Sequence, residues 1–285
     1  MSKAATMTDR YLVDGRWLEV SRISARRAGF PTIVMLHEGL GSVAHWKDFP
    51  SRLAEETGAE VFVYSRYGHG ASDELREARP VSYMHHEAQV VLPEILQKAG
   101  IERPLLLGQS DGASIAIIYA GTFPDSPAGL ILEAPHVFVE DISVSSIAQA
   151  REVFLHTDLP QRLARYHAHA ESAFWGWNNI WLDPSFRGWN IESFLDLIRC
   201  PVLVLQGAQD EYGTIKQVES IQARIPWASA VILENCKHAP HRDQCEATLF
   251  SISHFLRTIP SVATSMPGRR DVLELPSPIA DTETS

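Results

Sequence analysis

The chain has 285 residues, 45% hydrophobic and 21% charged. That is the balance of a globular protein with apolar residues enough for a sizeable core, in one large domain or two small ones. A formal charge of −10 argues against nucleic acid or an anionic membrane surface as the main partner. No run of about 18 apolar residues occurs, so no membrane-crossing helix is expected.

In chain order, the opening MSKAATMTDRYL lacks the apolar core of a signal peptide. The stretch Tyr11 to Ile23 alternates around Asp14-Gly15, which predicts a hairpin and antiparallel edge strands. Short apolar runs bounded by turn residues follow at Thr32–Leu36, Glu60–Tyr64, Leu105–Leu107, Gly129–Leu132, Pro201–Leu205 and Ala230–Leu233. Such runs suit strands buried on both faces. Helical patterns lie between them at Trp46–Thr57, Met84–Ala99, Ser110–Thr122 and Ile215–Arg224. This alternation predicts an α/β fold: a mostly parallel twisted sheet with helices on both faces. It divides into a core of residues 1–135 and 200–258, interrupted by a helical cap over 136–199.

The cap carries four of the seven tryptophans, Trp175, Trp177, Trp181 and Trp189. An insertion there would lie over the carboxyl edge of the sheet, where ligands bind in open α/β folds. Residues 259–285, rich in Pro, Ser and Thr, read as a flexible tail. Three cysteines, Cys200, Cys236 and Cys245, without a framework spacing fit a reducing cytoplasm.

One motif carries chemistry. Gly108-Gln109-Ser110-Asp111-Gly112 ends a strand run and opens a helical run. By itself Gly-x-Ser-x-Gly is a weak signal; in this setting it is what a nucleophile elbow requires. A serine needs a base, and the base needs an orienting acid. Asp210 follows the strand run at Val202–Leu205 and His238 follows the one at Ala230–Leu233. All three candidates then fall at one edge of the sheet. His241 is a second candidate base, and Glu211 a second candidate acid. The set Cys236, His238, His241 and Cys245 is spaced too tightly for separated ligand pairs, so no metal and no cofactor is expected.

In order and type these motifs resemble the α/β-hydrolase superfamily over roughly residues 11–256. Besides the elbow, His37-Glu38-Gly39-Leu40-Gly41-Ser42 is similar to the family's oxyanion loop. Ser65-Arg66-Tyr67-Gly68-His69-Gly70-Ala71-Ser72 is similar to its Gly-x-Gly-x-Ser turn. The Ser-Asp-Gly elbow, the aromatic cap and IRCPVLVLQG look closest to the biphenyl-hydrolase-like and valacyclovirase-like serine hydrolases. This chain departs from the common pattern at Glu38, where Gly is usual, at Ser65, where many members have Asp, and at Gln109, where His is common.

The resemblance implies Ser110 as nucleophile, His238 as base and Asp210 as acid. It implies an oxyanion hole from the Asp111 N–H with that of Gly39, or alternatively Leu40. The Asp111 carboxylate either faces the pocket, where it would attract a cationic or hydrogen-bond-donating substrate, or bonds a neighbouring loop and sits favourably at a helix N-terminus. Glu38, His136, Trp175, Trp177 and Trp181 are the expected pocket residues. The expected activity is hydrolysis of a small carboxylic ester or thioester with an apolar or aromatic part. A carbon–carbon bond hydrolase, a non-catalytic ligand-binding protein and an acyltransferase stay open on the same residues, as does a homo-oligomer.

Overall fold

The structure, a computed structural model, describes residues 6–259. The expected tail lies outside the described residues beyond Ile259. An eight-stranded sheet in the order β1-β2-β4-β3-β5-β6-β7-β8 organises the chain. Its strands are β1 (Thr6–Val13), β2 (Arg16–Ile23), β3 (Ile33–Leu36), β4 (Val61–Tyr64), β5 (Leu105–Gln109), β6 (Gly129–Glu133), β7 (Val202–Gly207) and β8 (Ser229–Leu233). The first two form an antiparallel hairpin, and β2 pairs antiparallel with β4. All pairings from β4 through β3 to β8 are parallel. The hairpin turn has Asp14 at φ 48° and Gly15 at φ 71°, the backbone that a tight two-residue connection demands. Its first strand starts at Thr6, earlier than the alternation indicated, because pairing with Ile23 satisfies a backbone whose side chains are mostly exposed.

The central strands are buried on both faces, as their continuous apolar runs require. In β3, Val34 and Leu36 join one core with Leu106, Ile115 and Phe62. Ile33 and Met35 join the other, with Phe49, Leu53 and Ile252. Each such side chain contributes about 2 kcal/mol by leaving water. The helix Asp111–Thr122, DGASIAIIYAGT, is buried on nearly every side, which fits its apolar sequence with small residues. The helix expected from Trp46 begins at Phe49, after a left-handed Lys47. The long helix Tyr83–Ala99 passes through a π-helical stretch at Glu87–Val91 before Pro93, where the missing N–H breaks the regular ladder.

Between β6 and β7 the chain leaves the sheet and forms the helices Asp141–His156, Leu159–Leu163, Ala170–Leu182 and Glu192–Leu195. The longest of these pack through Ile147, Phe154, Phe174 and Trp181 into the same core as the elbow's helix. Among the described residues no helix is long and apolar enough to cross a membrane.

Candidate active site

The site is built where β5 ends. Ser110 has φ 53° and ψ −117° and stands at the start of the helix Asp111–Thr122. A non-glycine residue there stores about 1–3 kcal/mol of strain. Two glycines make the turn feasible. A Cβ at Gly112 would lie 2.0 Å from the Leu36 carbonyl oxygen, and one at Gly108 would lie 2.3 Å from that of Gly112. Strand, serine and helix can approach this closely only without those side chains. The Ser110 N–H donates to the Glu133 carbonyl at 2.9 Å, so β6 pins the turn.

His238 and Asp210 arrive from the ends of β8 and β7. His238 Nε2 lies 2.9 Å from Ser110 Oγ, and its Nδ1 lies 2.9 and 2.8 Å from the two Asp210 oxygens. Asp210 also accepts from the N–H groups of Tyr212 and Gly213 and from Gln206 Nε2. Burial is the largest influence on Asp210 and pushes its pKa up, but His238 and the Tyr212 N–H outweigh it and leave the carboxyl lowered. His238 is the mirror case. Burial pushes it down most, yet Asp210, with Glu211 and Glu38 behind it, leaves the imidazole raised. Gln109 braces the histidine loop by donating to the His238 carbonyl at 3.0 Å, and Gln209 accepts from the Cys236 N–H at 2.9 Å. The rival base is committed elsewhere: His241 Nδ1 binds the buried Glu133 carboxylate at 2.7 Å.

The loop His37–Ser42 faces Ser110 across a cavity of about 590 Å³ that both line. Long-range side chains hold it. Arg66, 1% exposed, donates to the carbonyl oxygens of His37 and Glu38. His167 accepts from the Gly70 N–H at 3.0 Å, so its other ring nitrogen donates to the Leu40 carbonyl at 2.9 Å. Glu38 turns its carboxylate onto the Leu40 N–H and onto His45. Burial opposes its charge, but these partners and Arg66 hold the carboxyl down at about 2. The Leu40 N–H is thereby spent, which corrects its place as an alternative oxyanion donor. Gly39 remains, and glycine fits closely there: a Cβ would sit 2.2 Å from the Trp177 indole, which would have to shift.

The Asp111 carboxylate does not face the cavity. It accepts from Tyr83 Oη at 2.6 Å and from Trp181 Nε1 at 3.2 Å, with Arg66 3.7 Å away. Burial raises its pKa, and Arg66 and Tyr83 offset this only in part. It brackets the elbow's helix to the insertion. Of the other expected pocket residues, Glu38, His136, Trp177 and Trp181 line the cavity. His136 lies 5.2 Å from the Trp181 ring and 5.5 Å from that of His238. Its pKa falls to about 4 through burial and the neighbouring His238. Trp175 is a correction. It packs on Phe154 and Phe174 under Arg151, because two residues before Trp177 is the opposite face of a helix. Tyr212, whose ring is 4.8 Å from His238, Arg66, His167 and Tyr83 were not singled out from the sequence. Only the Ser65–Ser72 motif carried a signal, and it marked Arg66.

Residues 33–249 match the profile described as "Alpha/beta hydrolase family", and the chain belongs to that family. It is 22% identical over 273 residues to the proline iminopeptidase of Lactobacillus delbrueckii subsp. bulgaricus, covering 82% of this chain and 92% of the relative. Proline iminopeptidase from Mycobacterium smegmatis is similar in structure, with TM-score 0.72 at 21% identity, covering 88% of this chain and 98% of that one. The enol-lactonase from Burkholderia xenovorans follows, with TM-score 0.70 at 18% identity, covering 87% and 100%. At these identities the structural likenesses speak to the fold.

Proposed function

We propose that the protein is a serine hydrolase that cleaves a small-molecule carboxylic ester or thioester through an acyl-enzyme. The observation that carries this reading is the hydrogen-bonded chain from Asp210 through His238 to Ser110 Oγ, ending on a serine in strained backbone. His238 Nε2 takes the hydroxyl proton as Oγ bonds the carbonyl carbon. The oxyanion lies against the N–H groups of Asp111 and Gly39. Collapse breaks the bond to the leaving group, which receives the proton from His238; a water then repeats both transfers on the acyl-enzyme. Every atom needed comes from Ser110, His238, the substrate and water, so no cofactor is invoked. Trp177, Trp181 and Tyr212 line the cavity and favour a substrate with an apolar or aromatic part. Free Cys200, Cys236 and Cys245 accord with a cytoplasmic location.

The name proline iminopeptidase on the sequence relatives favours a second reading, peptide-bond cleavage by the same residues. A fluorophosphonate probe, followed by a panel of esters, thioesters, vinylogous ketones and prolyl amides, separates them. The expected result is labelling at Ser110, loss of the label in Ser110→Ala with about a 10⁴-fold or greater fall in kcat, and fastest turnover of esters or thioesters. Labelling with turnover of prolyl amides alone selects the second reading. An unlabelled Ser110 overturns both.

A further inference from the structure

Glu211 stands next to the acid of the site and lines the same cavity as Ser110 and His238. Its backbone is fixed on both sides. The Tyr212 and Gly213 N–H groups wrap the Asp210 carboxylate. Ser146 and Ser143, from the insertion, donate to the carbonyl oxygens of Glu211 and Tyr212 at 2.6 and 2.5 Å. Its carboxylate, by contrast, makes no hydrogen bond or ion pair among the described residues. Oε2 is sealed from solvent without a hydrogen-bond partner, and among the described residues the side chain makes no ion pair. A charged oxygen withdrawn from water with no donor is unfavourable unless something else supplies one. The neighbouring Glu38, satisfied by Leu40 and His45, shows what a settled carboxylate in this cavity looks like.

The surroundings point to the donor's character. Tyr166, Trp177, Trp181 and Tyr212 line the cavity with Glu211, and aromatic faces attract a desolvated cation. Glu211 and Glu38 both act on His238 electrostatically, so negative potential reaches the reacting end. Cations line the cavity too. Arg52, Arg162 and Arg242 are paired with Glu246, Asp158 and Asp243, while Lys47 and Arg165 are exposed. An exposed cation is satisfied by water; a sealed carboxylate oxygen is not. We propose that Glu211 is a specificity residue that binds a cationic group of the substrate, an ammonium held against the carboxylate among the cavity's aromatic rings. This rests on the serine-hydrolase reading and adds the class of substrate.

The test uses isosteric pairs that differ only in carrying an ammonium. On the leaving-group side, 4-(aminomethyl)phenyl butyrate, protonated and able to donate, is compared with 4-ethylphenyl butyrate. On the acyl side, phenyl 4-(aminomethyl)benzoate is compared with phenyl 4-ethylbenzoate, and monophenyl glutarate serves as the anionic member. In at least one pair, kcat/KM for the cationic ester is expected to exceed that of its neutral isostere by about tenfold or more. Glu211→Gln is expected to bring that ratio to within about threefold of unity, and Glu211→Asp to restore part of it. Melting curves check that each variant folds. A ratio near one in the wild type, a ratio that persists in Glu211→Gln, or fastest turnover of the glutarate ester overturns the proposal; the last assigns the cavity to Lys47 and Arg165 instead. If Ser110 stays unlabelled and no ester turns over, the hydrolase reading fails on its own. Calorimetric titration with benzylammonium then decides the cation site. Saturable binding that is lost in Glu211→Gln supports it, and no binding overturns it.

Discussion

The elbow Gly108–Gly112 and the loop His37–Ser42 face one cavity, but different forces hold them. The elbow is fixed by backbone and by what its glycines lack: a Cβ at either end would strike a carbonyl within 2.3 Å. Its conformation is carried by five consecutive residues between a strand and a helix, held by backbone of the adjoining strands at Leu36 and Glu133. The loop is fixed by side chains far away in the chain. Arg66 reaches in from beyond β4, His167 from the insertion, and Glu38 folds back on Leu40. A locally determined turn resists change at its own residues, whereas a loop tied from outside fails when its distant ties are cut.

The largest effect is expected at the relay the elbow presents. Asp210→Asn should lower kcat by about 10³- to 10⁴-fold, because the base loses its orienting acid. The sign of the pH dependence follows from the raised His238 and lowered Asp210. The reaction needs neutral His238, so kcat/KM should rise with pH through a midpoint above the ordinary imidazole value. Asp210→Asn should move that midpoint to lower pH as the plateau falls. Stability has its own signature. The raised histidine contributes below its unfolded value and ceases to as pH rises through the folded one; the lowered carboxyl contributes above its unfolded value and ceases to as pH falls through the folded one. Unfolding titrations of wild type and Asp210→Asn read both limbs, and a midpoint unmoved by the substitution would break the assignment of His238 as base.

The two loops' glycines make the next contrast. Gly112→Ala drives a methyl into backbone and should cost more than about 4 kcal/mol, or prevent folding. Gly39→Ala meets the Trp177 ring, which can yield, and should cost about 1–3 kcal/mol. Denaturant melts of the pair check this; equal costs would remove the distinction between local and distant support. Cutting the ties comes next. Arg66→Met leaves the His37 carbonyl without its donor, takes one of two or more partners from the Glu38 carbonyl, and leaves the Asp111 carboxylate without its nearest cation. It should cost about 3 kcal/mol or more and lower kcat about 100-fold. His167→Phe removes one donor to Leu40 and should lower kcat roughly tenfold with KM little changed. If His167→Phe leaves kcat untouched, the insertion does not help hold the loop.

The smallest effect expected is at Asp111→Asn. The amide can still accept from Trp181, so rates should fall by about threefold to tenfold, equally on cationic and neutral esters. A selective loss on the cationic member would return substrate recognition to Asp111, against its contacts with Tyr83, Trp181 and Arg66.

The sequence by itself determined the sheet and its reactive edge. Runs such as Leu105–Leu107 and Val202–Leu205 are apolar because parallel strands are covered on both faces, and they bring Ser110, Asp210 and His238 to one edge. Glycines at 108 and 112 marked the elbow: Gly108 is constrained within a few bonds by Gly112, and Gly112 by the backbone of Leu36 in the neighbouring strand. Tertiary structure decided whatever depended on a partner distant in the chain. It chose His238 over His241, since only the first points at Ser110 while Glu133 takes the second. It took Leu40 out of the oxyanion hole, turned Trp175 outward and closed the Asp111 carboxylate against Tyr83 and Trp181. It also left Glu211 lining the cavity with its Oε2 unpartnered among the described residues. Charge, type and spacing state what a side chain can do. Which way it points is fixed by packing among segments that meet only when the chain folds.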